Sequence, residues 1–306
     1  MKSKTLKNIS ASVRERLLNI SRTRKEDFQL ILSRYAAERF LYRLSQSQYK
    51  ETFILKGALL FLVWDPTTYR PTRDVDFLGK EENSISKLKN IFEEICQCSV
   101  DTDGVDFLAS SVKAQKIKGD QEYEGIRITL VAKLSEAKIP LQIDIGFGDV
   151  VSPPPQLITF PTLLKFDPPK IKIYPKETVI AEKLHAIVNL GITNSRMKDF
   201  YDIWMLSKHF QFSGKELSNA IKQTFTRRKT PIPINPPLAF TAEFYNDKTK
   251  QTQWNAFVKK NQLIEGEGIT LHETITQIIN FLMPLIESII QKEHFTLNWR
   301  EGKWGK

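Results

Sequence analysis

The sequence predicts an α+β protein in which a mixed sheet core is flanked by N-terminal helices and a C-terminal helical domain. Three observations predict it. Apolar residues recur at helical spacing towards both ends of the chain, period-two alternation is confined to the middle, and prolines crowd one crossover at residues 151–175. With 306 residues the chain holds about two domains of roughly 150 residues each. The organisation expected is basic N-terminal helices over residues 1–50, a sheet core over 51–175 and a helical domain over 176–306.

Residues 8–50 carry Val13, Leu17, Leu18 and Ile20, then Phe28, Ile31, Leu32, Tyr35 and Ala36, at the spacing of amphipathic helices. Residues 53–57 predict a short strand running into a helix at Gly57, Ala58, Leu59 and Leu60. Pro66 and Pro71, with threonines between them, break the chain, and residues 74–78 predict a strand. A helix is expected over 84–98, through Ile85, Leu88, Ile91, Phe92 and Ile95. Residues 126–134 and 140–147 alternate as two strands: Ile126, Ile128 and Leu130 against Arg127 and Thr129, then Leu141, Ile143 and Ile145 against Gln142 and Asp144. Beyond the prolines, helices are expected from Glu177, over 196–209, near 250–262 and over 273–292, with a Pro-rich break at 229–240.

The formal net charge of +10 points to anionic partners such as RNA, DNA or nucleotides. The surplus is uneven, since residues 1–50 hold twelve Lys or Arg against four Asp or Glu. Cys96 and Cys98 form one Cys-X-Cys without a second pair to complete a zinc site, so free thiols are expected. No apolar run follows the basic N-terminus and no stretch of about 18 apolar residues occurs, so neither a signal peptide nor a membrane span is expected, and the expected location is cytoplasmic.

The chemistry centres on Asp74 and Asp76. Alternation along a strand turns both carboxylates to one face and sends Val75 and Phe77 to the other. Two like charges on one face repel, and a hard divalent cation with oxygen ligands relieves the repulsion. Asp144, between Ile143 and Ile145, is placed to bring a third carboxylate from a neighbouring strand. Three carboxylates suit two-metal phosphoryl chemistry, with Asp144 as ligand or as base for the nucleophile. Lys56 and Gly57, at an expected helix start, suit a triphosphate cradle. Lys183 offers a point charge to a phosphate, and Arg196, Asp199 and Asp202 share one helical face beside Lys198. Other chemistries are not supported. There is no phosphate-binding loop of the Gly-x-x-x-x-Gly-Lys type, no kinase catalytic loop and no Gly-x-Ser-x-Gly. The histidines at 185, 209, 272 and 294 lack metal spacing.

The segments at residues 39–45, 53–60, 70–77, 141–149, 177–186 and 196–203 resemble, in order, the AbiEii/AbiGii (MenT-like) nucleotidyltransferase toxin family. They span about residues 35–210. The resemblance implies a DNA polymerase β-like nucleotidyltransferase core with helical additions. It implies a bacterial toxin of a toxin–antitoxin or phage-defence pair that transfers a nucleotide from an NTP to RNA, with the tRNA 3′ end as expected acceptor and a cognate antitoxin as expected partner. It implies Mg²⁺ (or Mn²⁺) at Asp74, Asp76 and Asp144, and catalytic roles for these three and Lys183. Nucleotide contacts are implied for Lys56, Gly57, Thr72, Arg73, Lys183, Lys198, Asp199 and Asp202. Two positions depart from the pattern: Ala58 follows Gly57 where a serine is usual, and Gln142 stands where a lysine often precedes the second-motif Asp. Thr72 stands where some relatives carry a serine that a kinase partner phosphorylates, so modification at Thr72 is an expectation as well. The alternatives left open are a protein or small-molecule acceptor, and a non-catalytic RNA-binding module.

Overall fold

The computed structural model describes residues 2–65, 70–80, 84–117, 125–261, 263 and 268–306, with the side chains of residues 2–8 excepted. The expected break at Pro66 and its following threonines lies outside the described residues. The chain divides into two compact units, one of residues 1–148 with 156–173 and the other of residues 149–155 with 174–306.

The first unit begins with α1 (Lys2–Arg24) and α2 (Phe28–Gln46). Asp27 starts α2 by accepting a hydrogen bond from the Leu30 N–H at 2.9 Å, which satisfies one of the otherwise unpaired amides of the first turn. Then follow β1 (Phe53–Lys56), α3 (Leu60–Trp64), β2 (Val75–Gly79), α4 (Ile85–Cys96), β3 (Val105–Ile117), β4 (Gly125–Leu134), β5 (Ala137–Phe147), β6 (Gln156–Thr159) and β7 (Lys170–Ile173). The seven strands form one sheet in the order β3-β4-β5-β2-β1-β7-β6. It is mixed: β5 pairs with β2, and β7 with β1, in parallel, and the remaining neighbours are antiparallel. Helices α2 and α4 pack on it, and Phe40, Phe53, Phe77, Phe92 and Phe107 form a ring cluster with centroids 5.5–5.8 Å apart. That spacing is typical of favourable aromatic pairs.

Helix α2 carries buried charge. Arg39 and Arg43 each donate to the Asp103 carboxylate at 2.8 Å, and the Tyr35 hydroxyl donates to the Asp103 carbonyl at 2.8 Å. Arg39 and Arg43, which add to the basic balance of residues 1–50, therefore face an internal aspartate and not solvent.

The expected elements of the core appear close to their predicted bounds, with three differences. The strand β3 was not anticipated. The crossover at 151–175 contains two short strands, because its prolines flank them: β6 follows Pro155, and β7 lies between Pro169 and Pro175. The helix expected at Gly57 begins only at Leu60 and runs five residues.

The second unit is built from α5 (Lys176–Leu190), α6 (Met197–His209), β8 (Phe212–Ser213), α7 (Gly214–Arg227), α8 (Ala242–Tyr245), α9 (Lys248–Lys260), α10 (Leu271–Gln291), β9 (Asn298–Arg300) and β10 (Lys303–Gly305). Thr270 and Glu273 close a reciprocal cap on α10. The β9–β10 hairpin turns through Glu301 and Gly302, both at positive φ, and pairs with β8. Trp299 is buried against Phe281 and donates from its indole N–H to the Ser207 carbonyl at 2.6 Å. Helix α7 and the hairpin lie in a stretch where only helical periodicity was legible. Among the described residues no helix is long and apolar enough to cross a membrane.

Candidate active site

The parallel pairing of β2 with β5 sets Asp76 directly beside Asp144. In the same transverse row Asp76 partners Lys56 on β1, Asp144 partners Arg127 on β4, and Arg127 partners Gln115 on β3. Side chains at paired positions point to the same face of a sheet, so this row presents Lys56, Asp76, Asp144 and Arg127 together. Val75 and Phe77, at 0% and 1% exposure, anchor the opposite face of β2. Asp74 is exposed just ahead of β2, preceded by exposed Arg73 and half-buried Thr72. Arg73 stands 4.0 Å from Asp27 at the start of α2.

Arg127 holds Asp144 with two charge-assisted bonds, Nε to Oδ1 and Nη2 to Oδ2, both 2.8 Å. This fork raises the guanidinium pKa above its ordinary value, and the fields of Asp144, Asp74 and Asp76 act in the same direction against partial burial. Arg127 therefore belongs to the acidic cluster, although sequence reasoning read it only as an alternating strand residue. The available signal was an arginine on the polar face of an otherwise apolar strand next to the one bearing Asp144.

Gly57 adopts φ +76°, and a Cβ there would overlap the Asp76 carboxylate. Glycine is thus required twice, by backbone conformation and by the space the carboxylate fills. The ammonium of Lys56 reaches across the face towards Gly146 on β5, 3.8 Å from where a Cβ on that glycine would sit. A cavity of about 450 Å³ is lined by Arg73 and Asp74 with Lys113, Thr129 and Gln142 among others, and none of Lys56, Asp76, Asp144 and Arg127 lines it. A larger one, about 920 Å³, lies in the second unit around Tyr245, Trp254 and His272 and contains none of the expected site residues.

The donor chemistry of Asp74 and Asp76, carboxylate oxygens two residues apart at the start of β2, fits a hard divalent cation. Among the described residues no three His, Cys, Asp or Glu side chains are grouped as a metal site. Arg127 engages both oxygens of the third expected ligand, Asp144.

The remaining expected residues lie in the second unit. Lys183 on α5 bridges two buried carboxylates of α6, 2.7 Å from Asp199 and 2.8 Å from Asp202. Arg196 Nε stands 2.7 Å from the other Asp199 oxygen without the alignment of a hydrogen bond. Lys198 is exposed on the same helix. Nearby, His185 contacts Thr230 at 2.8 Å and Arg228 at 3.2 Å. Burial, and then the Arg228 charge, push its imidazole down to about 4, against an upward pull from Asp149. Cys96 and Cys98 are free thiols, as expected.

No curated protein sequence matches the chain. Two Helicobacter pylori crystal structures are similar to it. One, provisionally assigned as a nucleotidyltransferase, has 17% identity and a TM-score of 0.48, over 84% of this chain and 95% of that one. The other, of the protein JHP933, has 16% identity and a TM-score of 0.47, over 83% and 90%. The family described as nucleotidyl transferase AbiEii toxin, type IV toxin–antitoxin system, matches residues 39–267, a span that includes every expected site residue from Lys56 to Asp202. The chain belongs to this AbiEii family of nucleotidyltransferase toxins.

Proposed function

We propose that this nucleotidyltransferase is a metal-dependent toxin that transfers a nucleotide from an NTP to RNA, with the tRNA 3′ end as acceptor, on a polymerase β-like core. The observation that carries the reading is the pairing of Asp76 with Asp144 across β2 and β5, with Asp74 two residues ahead of Asp76. Acidic side chains from adjacent strands meet on one sheet face, with Asp74 lining a cavity, and that is the chemistry a nucleoside triphosphate with its cation requires.

In this reading Asp74 and Asp76 hold Mg²⁺ or Mn²⁺, which supplies charge neutralisation at the triphosphate. Asp144 ligates it or takes the proton of the attacking hydroxyl. Lys56, Gly57, Thr72 and Arg73 line the triphosphate on the sheet side. Within the second unit, exposed Lys198 on α6 is a candidate phosphate contact, whereas Lys183 is bound to the buried carboxylates of Asp199 and Asp202. The formal charge of +10 favours a polyanionic acceptor over a small molecule. Membership in a type IV toxin–antitoxin family implies an antitoxin partner.

The test is incubation of the protein with each α-labelled NTP, Mg²⁺ and total RNA. Label is expected in a tRNA-sized band and is expected to vanish for Asp74→Ala and Asp76→Ala. Labelled protein without labelled RNA would replace the RNA acceptor by a protein one. No label with any NTP would overturn the catalytic reading.

A further inference from the structure

We infer that Arg127 is a positioning residue that competes with the divalent cation for Asp144, holding that carboxylate as half of an ion pair whenever the metal is absent. The inference rests on the proposed placement of the cation at Asp74 and Asp76, and it adds a residue and a consequence that this placement does not contain.

The charged part of the transverse row runs positive, negative, negative, positive. Lys56 and Arg127 flank Asp76 and Asp144, which stand between them. Adjacent strands lie about 4.8 Å apart, so the two carboxylates at one level repel each other unless a positive charge is shared with them. Arg127 supplies that charge in the most directional form available, a planar fork on both oxygens of one carboxylate. A metal ion needs the same oxygens. Each oxygen keeps one lone pair beyond its bond to Arg127, so a cation reaches Asp144 only on those remaining lone pairs and with the guanidinium charge alongside, and a cation held by Asp74 and Asp76 alone meets the same repulsion.

The ion pair is not needed to build the sheet. β4 and β5 are already joined over nine consecutive register positions. The pair is also not sealed in the core, since the Arg127 and Asp144 side chains are 33% and 22% exposed. An arginine placed merely to fill space or to lock two strands does not require both oxygens of a carboxylate on the acidic face. The fork fixes Asp144 beside Asp76 and sets a threshold for cation entry.

The test is Mn²⁺ binding to the metal-free full chain without nucleotide, followed by the electron paramagnetic resonance signal of free Mn²⁺. Arg127→Met is expected to bind Mn²⁺ about fivefold more tightly than the wild type, the scale of one partly solvated charge removed from the site. Asp144→Asn is expected to bind more weakly, because Arg127 then stands unneutralised beside Asp74 and Asp76. The double variant Arg127→Met/Asp144→Asn is expected to return to near wild-type affinity. Unchanged or weaker binding in Arg127→Met, or a double variant as weak as Asp144→Asn, overturns the inference. Such results would describe a cage of three carboxylates with a bystander arginine. Circular dichroism checks folding; should Arg127→Met not fold, Arg127→Gln, neutral but still able to donate to Asp144, is expected to tighten binding as well. Wild-type protein that binds no Mn²⁺ sinks both this inference and the metal placement. Wild-type binding with unresponsive Arg127 variants sinks this inference alone and leaves the labelling of RNA untouched.

Discussion

Asp144 lies beside Asp76 in the parallel register of β2 and β5, so two carboxylates meet at one level of a sheet. Like charges this close oppose folding, and Lys56 and Arg127, which flank them in the same row, offset part of that repulsion. Asp76→Asn therefore separates stability from activity. Without metal the variant is expected to melt within about two degrees of wild type, since Lys56 and Arg127 already offset the repulsion that it removes. Its nucleotide transfer is expected to fall by more than about a hundredfold. Calorimetry in EDTA and the labelling assay read the two effects, and a variant that is less stable and equally inactive would point to a structural aspartate.

Gly57 sits under Asp76. Gly57→Ala would force an alanine to φ +76° and drive its Cβ into the Asp76 carboxylate. The backbone strain is about 1–2 kcal/mol. The larger consequence is displacement of Asp76, so transfer is expected to fall at least tenfold while the variant still folds. Mn²⁺ affinity would drop with it. Normal affinity in a folded Gly57→Ala protein would show that Asp76 is not a ligand.

The site was legible in part, for reasons that individual residues show. Asp76 and Asp144 were readable because Val75, Phe77, Ile143 and Ile145 alternate with them and are buried. Arg127 was not readable as their companion, because a single sequence does not give the register that sets it opposite Asp144. β3 escaped because its register shifts between Leu108 and Lys113, which breaks the period-two pattern on which strand reading depends. β6 and β7 have four residues each between prolines, too few for periodicity to register. Arg39 and Arg43 were legible only as part of the basic surplus of residues 1–50, since their partner, Asp103, lies 60 residues or more away in sequence.

Asp103 is the buried counter-ion of α2. Burial pushes its carboxyl up, but the hydrogen bond and charge of Arg43 and the hydrogen bonds from Arg39 and the Val105 N–H outweigh it and hold the pKa below the ordinary aspartate value. A depressed pKa contributes stability above the unfolded-state value and loses it as the pH falls through the folded one. Asp103→Ala leaves two buried guanidiniums without their carboxylate, and a loss of about 3–5 kcal/mol is expected in urea unfolding at neutral pH. A loss below about 1 kcal/mol would mean that water reaches the two arginines.

Glu38 titrates in the opposite sense. Burial raises its carboxyl to about 7, against the Leu163 N–H, which it accepts at 2.7 Å, and the charge of Arg39. A raised folded pKa gives stability that is complete below about 4.5, the ordinary value, and is lost as the pH rises through about 7. Glu38→Gln keeps an acceptor for Leu163 and removes the titration. It is expected to match wild type near pH 4.5 and to exceed it by up to about 3 kcal/mol at pH 8. Urea midpoints at the two pH values decide it; parallel shifts of wild type and variant would place the ionised Glu38 in a solvated setting.

Lys183 separates a structural from a nucleotide-binding role on α5. Its ammonium lies within 2.8 Å of carboxylates on both Asp199 and Asp202, which are 0% and 1% exposed. Replacing it with methionine keeps the length of the stem and leaves two buried aspartates short of a cation, and Arg196 approaches only one of them. Lys183→Met is therefore expected to destabilise the second unit by about 3–5 kcal/mol, so its loss of transfer would by itself say nothing about phosphate binding. The triple variant Lys183→Met/Asp199→Asn/Asp202→Asn removes the buried charges together and is expected to recover most of that stability, because paired removal avoids an orphaned charge. If Lys183 also holds the triphosphate, the recovered fold still transfers at least a hundredfold more slowly than wild type and binds NTP more weakly in a filter assay. Transfer that returns with stability would make the Lys183 bridge a purely structural link between α5 and α6.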